Sequence, residues 1–183
     1  AMARVEEIRE LEFEKSVPVE VVSRTEFRNQ TAKQFGNTDP RFRVHQNAKF
    51  EALFFVNEST DAIAVQQQTR AGSVLGYYSY ASDEIVIVSD NTSSPSIDEI
   101  TLSQELFHAL QDQYFNLSSE ILTGNTIEED NAVSGVIEGD GNYVDYLYEQ
   151  RCDAEWDCLR PQSTEQGGDG VNIGMNVLQL PPY

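Results

Sequence analysis

Residues 96–117, SIDEITLSQELFHALQDQYFNL, read as one helix, and the rest of the chain takes its meaning from that stretch. Ser96 stands three residues before Glu99, the spacing of a capping box in which each residue satisfies a free backbone N–H of the other's turn. Ile97, Ile100, Phe107 and Leu110 recur at helical spacing and mark a buried stripe. Just upstream, SVLGYYSY (73–80) and EIVIVS (84–89) are rich in β-branched and aromatic residues. The short polar connector ASD makes them a hairpin. Downstream, Thr126 with Glu129 repeats the capping-box spacing and begins a second long helix, to about Glu149. That helix holds Gly135, Gly139 and Gly141. Each glycine costs about 1 kcal/mol relative to alanine in a helix interior, so the three need a reason, and close approach of another helix is the simplest.

Further out, residues 4–11 read as a short helix and 16–23 as a strand, whose Pro18 favours an edge position. Thr25 caps a helix to about Phe35, and Asp39-Pro40 opens another through about Phe55. Phe42, Phe50, Leu53 and Phe54 on that helix are expected in the core, and His45 at the surface. Residues 60–69 are ambiguous between helix and loop. The tail after Arg160 has little pattern beyond a turn or one short strand. Together these elements predict an α+β fold: a small antiparallel sheet packed on a helical half, within a single domain spanning 1–183.

The chain has 31 acidic residues against 12 basic ones, a formal net charge of -19, and its only lysines are Lys15, Lys33 and Lys49. Such a surface repels nucleic acid and anionic membranes, so both are poor candidates for partners. The charge is dispersed rather than gathered in a tail, and aromatic content is ordinary, so a folded domain is expected. Two readings of the imbalance stand, a protein adapted to high salt and a plainly acidic mesophilic one. Screening of self-repulsion by salt favours the first. No apolar run approaches the length of a membrane span. Sequons at Asn29, Asn57, Asn91 and Asn116 permit an exported, glycosylated protein. Cys152 and Cys158 lack the further ligands that would complete a metal site. A short-loop disulfide in an exported protein is the preferred reading, with free thiols the alternative.

The chemistry sits in Gln104-Glu105-Leu106-Phe107-His108, one residue away from H-E-x-x-H. Two imidazoles at i and i+4 lie about 40° apart around a helix axis and can reach one ion. The Glu after the first His serves as general base on a metal-bound water. Here Glu105 and His108 are in place and Gln104 stands where the first His would be. Among rival chemistries, no G-x-S-x-G and no phosphate-cradling glycine loop occurs. No pair of carboxylates is singled out for glycoside hydrolysis.

Gln104–His108, the HALQDQ continuation over 108–113, and VIEGDG over 136–141 together resemble the zinc metallopeptidases of the H-E-x-x-H class, in the branch whose third ligand is a Glu on a later helix. The acidic composition is most similar to haloarchaeal members of that group. The resemblance implies zinc-dependent peptide hydrolysis outside the cell or at its surface, with Glu105 as base and His108, Glu138 and the residue at 104 as ligands to one zinc ion. It also implies that the hairpin supplies an edge strand for an extended peptide substrate, and that the chain continues past Tyr183. Asp112, one turn beyond His108, is expected to accept from the second ring nitrogen, and Asp140 to support Glu138. His45, Tyr143, Tyr77 and Tyr78 are all available to stabilise an oxyanion. The amide of Gln104 is a poor zinc ligand beside imidazole. Three explanations remain open for it: a silenced enzyme, a natural pseudo-peptidase acting as an extracellular binding domain, or a site that tolerates Gln.

Overall fold

The computed structural model describes residues 1–92, 97–117 and 126–160. The described residues form six helices and a three-stranded sheet, an α+β architecture. In chain order they are α1 (Met2–Arg9), β1 (Val19–Val22), α2 (Arg24–Gly36), α3 (Pro40–Ala52), α4 (Ala62–Ser73), β2 (Gly76–Ser79), β3 (Glu84–Val88), α5 (Glu99–Phe115) and α6 (Ile127–Ala154). The chain divides into two compact units, one made of Ala1–Val22 with Leu75–Gln162, the other containing Ser23–Val74.

In the first unit the strand order is β1-β3-β2. The expected hairpin is present: β2 and β3 pair antiparallel around a turn in which Asp83 adopts a left-handed φ of 55°. The sheet is mixed rather than wholly antiparallel, because β1 runs parallel to β3 with Val19 opposite Ile85. Parallel strands cannot be joined by a tight turn, and here the whole of α2, α3 and α4 intervenes between β1 and the hairpin. Nothing in the local pattern of residues 16–23 records that direction. Pro18 does sit at the edge, giving its carbonyl to the Ile85 N–H at 2.9 Å while lacking a donor of its own. The central strand, EIVIV, is buried from Ile85 to Val88, as a strand covered on both faces must be.

Against this sheet packs a core drawn from Leu106, Phe107, Ala109 and Leu110 of α5, Val144 and Tyr148 of α6, and Val5 of α1. Ile97 and Ile100 join it from the partly buried margin. The α5 start differs from the capping box expected. Asp98 is the N-cap and makes no side-chain cap bond, and Ser96 lies outside the described residues. Glu99 instead turns outward from its own helix to the Arg4 guanidinium (2.6 Å), the Tyr148 hydroxyl (2.6 Å) and the Leu159 N–H (2.9 Å). Glu99 thus serves three tertiary partners. The second cap holds: the Thr126 hydroxyl accepts from the Glu129 N–H at 3.2 Å, and α6 runs from there past Glu149 to Ala154. Cys152 and Cys158 form the disulfide, closing a loop that lays Trp156 edge-on against Tyr148.

The second unit is helical. The ambiguous segment 60–69 belongs largely to α4, capped by the Asp61 carboxylate and packed against α2 and α3. The α2 cap is Ser23 rather than Thr25, its hydroxyl accepting from the Glu26 N–H. Phe50 is buried as expected, but Leu53 and Phe54 are not core residues, and Phe54 is 94 % exposed. Helix α3 stops at Ala52 and Phe54 takes a φ of 60°, which breaks the stripe before those side chains turn inward. His45 is exposed. No described helix is long and apolar enough to cross a membrane. The turn expected at 122–125 and the tail from 161 onward lie outside the described residues.

Candidate metal centre

Helices α5 and α6 bring His108 and Glu138 together: the ring Nε2 lies 3.7 Å from the Glu138 Oε2. His108 is nearly enclosed, with 7 % of its side chain exposed, whereas Glu138 is 60 % exposed. The pair therefore has one fixed, dry member and one that stands at the solvent boundary.

The glycines of α6 explain how the two helices come so close, and only one of them does so. A Cβ on Gly141 would stand 3.0 Å from the His108 Cε1, 3.3 Å from its Nε2 and 3.7 Å from the Gln104 Cγ. Gly135 and Gly139 would meet nothing within 4 Å. The close-approach argument thus holds at Gly141, which faces both motif positions 104 and 108. For the other two the structure supplies no packing reason.

Glu105 sits on the same stretch of α5 and reaches the sheet. Its Oε2 accepts from the Tyr78 backbone N–H at 2.7 Å. In the β2–β3 ladder the Val88 N–H bonds the Leu75 carbonyl, so Leu75, Tyr77 and Ser79 address β3 while Tyr78 turns its N–H to the outer edge. The carboxylate caps that edge donor. Burial pushes the Glu105 carboxyl up to about 7; the Tyr78 N–H opposes the rise, and the Glu138 and Asp145 charges add to it. The Tyr80 phenol, edge-on to Tyr78 at 5.1 Å, is held in its protonated form, first by burial and then by the charges of Glu138, Asp112 and Glu105.

Asp112 does not orient His108. Its Oδ2 accepts from the Tyr78 hydroxyl at 2.9 Å and its Oδ1 from the Leu117 N–H at 2.7 Å, so the end of α5 and the β2 side chain claim both oxygens. The partner of the His108 Nδ1 is Gln111, whose Oε1 lies at 3.0 Å. Its Nε2 in turn donates to the Asp140 Oδ2 at 3.2 Å and the Ile137 carbonyl at 3.5 Å. Asp140 is gripped at both oxygens by Arg9 of α1, at 2.9 and 3.1 Å, and the Arg9 guanidinium lies 4.8 Å from the Phe107 ring centroid. Asp140 supports the site, then, but through Gln111 and His108 rather than through Glu138. Gln111 could have been found from the sequence, since i+3 faces i on a helix as i+4 does. Arg9 could not, because no local pattern ties α1 to α6.

Of the residues proposed for an oxyanion, the Tyr78 hydroxyl is engaged by Asp112, and Tyr143 is exposed and stacked on Tyr146 at 6.5 Å. His45 belongs to the other compact unit. As a donor set for a metal ion, His108 and Glu138 fit by chemistry and position. Gln104 beside them adds only a neutral amide, and among the described residues no three His, Cys, Asp or Glu side chains are arranged to hold an ion. The set is one strong ligand short of a tetrahedral zinc site with three protein ligands. No family model, curated protein or solved structure matches this chain.

Proposed function

We propose that the α5–α6 pair is a peptidase-type zinc centre, with His108 and Glu138 as two of its ligands and Glu105 as its base, and that Gln104 leaves it impaired in the chain as written. The observation that carries this is the approach of His108 and Glu138 to 3.7 Å from two helices separated in sequence, beside Glu105. Zinc held there would polarise a peptide carbonyl and acidify a water. The chain's own part is to hold that ion through His108, Glu138 and the residue at 104, and to take a proton at Glu105. The edge strand β2 is the part of the sheet to which an extended peptide would add, its strand partner displacing the Glu105 carboxylate from the Tyr78 N–H. The substrate class is an unstructured peptide or protein. The setting is extracellular or at the cell surface in high salt, supported by the disulfide and the acidic surface.

The shortage of a third strong ligand favours a second reading, in which the domain keeps the fold and binds peptide without cleaving it. Restoring the imidazole separates the two. Gln104→His should cleave an unstructured protein in high salt, and adding Glu105→Gln to it should abolish cleavage while leaving the fold intact. No cleavage by Gln104→His under any salt condition would leave only the binding reading.

A further inference from the structure

We propose that Gln111 is a positioning residue: with Asp140 and Arg9 it locks His108 in the tautomer protonated at Nδ1, so that the ring presents the bare Nε2 to Glu138. The argument runs through which atoms can donate. Arg9 has only donors, so both Asp140 oxygens accept from its guanidinium. Asp140 and the Ile137 carbonyl therefore both accept from the Gln111 side chain, and only its amide nitrogen can satisfy them. That fixes which end of the amide is which, and the remaining oxygen faces the His108 Nδ1 at 3.0 Å. An oxygen accepts, so Nδ1 must carry the hydrogen. In the neutral ring the lone pair is then on Nε2, 3.7 Å from a carboxylate oxygen.

Two lone pairs facing each other at that distance repel, and a proton, a water or a metal cation between them relieves the repulsion. The relay accordingly sets the ring against its simplest local alternative, an Nε2–H donated to Glu138. Three helices take part, with Arg9 on α1, Asp140 on α6 and Gln111 beside His108 on α5. Helix α1 thereby acts on the imidazole through Asp140 and Gln111. Orienting partners of this kind set ring direction and ligand basicity in metal sites.

This proposal deepens the reading of the site given above and rests on it for its purpose alone. The tautomer itself is a property of the metal-free chain as written. It can fail while Gln104→His still cleaves, and it can stand when that variant does nothing. The test is nitrogen NMR of the full 15N-labelled chain without metal, at a pH where the ring is neutral by its own titration, reading which ring nitrogen carries the proton. His45 and His108 are the only histidines, and exposed His45 supplies the solvent reference. The expected result is Nδ1–H at His108 and predominantly Nε2–H at His45. Gln111→Met should move His108 to Nε2–H, and Glu138→Gln, which leaves the relay intact, should keep it at Nδ1–H. An Nε2–H tautomer in the unaltered chain overturns the proposal, whether or not Gln111→Met folds. An Nδ1–H tautomer that survives Gln111→Met overturns the role of Gln111.

Discussion

Helix α1 sends two arginines into the α5–α6 pair, and the same device has opposite outcomes at its two ends. Arg4 lies 5.0 Å over the Trp156 ring and bonds Glu99; Arg9 lies 4.8 Å over the Phe107 ring and bonds Asp140. At the Glu99 end the network closes. The carboxylate also accepts from the Tyr148 hydroxyl and from the N–H of Leu159, the residue that follows the disulfide's Cys158. Burial alone would raise the Glu99 carboxyl, but the bonds from Tyr148, Leu159 and Arg4 outweigh it and hold it below its ordinary range. At the Asp140 end the network runs on through Gln111 into His108 and stops at an exposed carboxylate. A closed network is a clasp; the open one ends on two converging side chains, His108 and Glu138.

The largest effect should come from opening the clasp. Glu99→Ala leaves the Tyr148 hydroxyl and the Leu159 N–H without their acceptor, and should destabilise the chain by about 1–3 kcal/mol in denaturant unfolding. A loss below about 1 kcal/mol would mean the Glu99 end is as loosely held as the site, and the contrast would go. Reducing Cys152–Cys158 should follow, at about 2 kcal/mol for so short a loop, read as a lower melting temperature with reductant. Its effect on His108 resonances should be small, since the disulfide belongs to the other end.

Glycine substitutions sharpen the comparison along α6. Gly141→Ala gains about 1 kcal/mol of helix propensity but drives a Cβ to 3.0 Å from the His108 ring, a clash of roughly 1–3 kcal/mol. Its net effect should be destabilising, with shifted His108 resonances. Gly135→Ala and Gly139→Ala meet open space, so each should stabilise by up to about 1 kcal/mol and leave His108 alone. If all three behave alike, the close approach at Gly141 is not what sets the helix spacing.

The smallest effect concerns Asp145, which lies on α6 between the two ends. Burial pushes its carboxyl up to about 7, the Ser103 hydroxyl opposes this, and Asp98 and Glu149 add to it. The folded chain thus holds a proton that the unfolded chain releases near the ordinary aspartate value. Stability from this group is full below that value and is lost as pH rises toward 7. Asp145→Asn should therefore gain in melting temperature relative to the unaltered chain as pH is raised from 4 to 8. A constant difference across that range would remove Asp145 as the source.

Much of this was legible in the letters, and for identifiable reasons. The two long helices, the hairpin and the disulfide follow from periodicity, caps, turn residues and Cys spacing, all local signals. The juxtaposition of His108 with Glu138 was readable because the motif fell on one helix and Glu138 with Gly141 on the next. What was hidden depended on partners distant in sequence. Glu99 took Arg4, Tyr148 and Leu159 as partners, β1 took its direction from a long connection, and Asp112 was drawn to Tyr78 and Leu117. The apolar run at Leu53 and Phe54 misled because a left-handed residue ended the helix first.

The most direct measurement is zinc binding by equilibrium titration in three chains: as written, with Gln104→His, and with Gln104→His plus Glu138→Ala. The account predicts weak or no binding in the first and one tightly held ion in the second. Removing Glu138 should then loosen that ion by at least 10-fold. A Gln104→His chain that binds zinc no better than the unaltered one, or a tight site indifferent to Glu138, would contradict it.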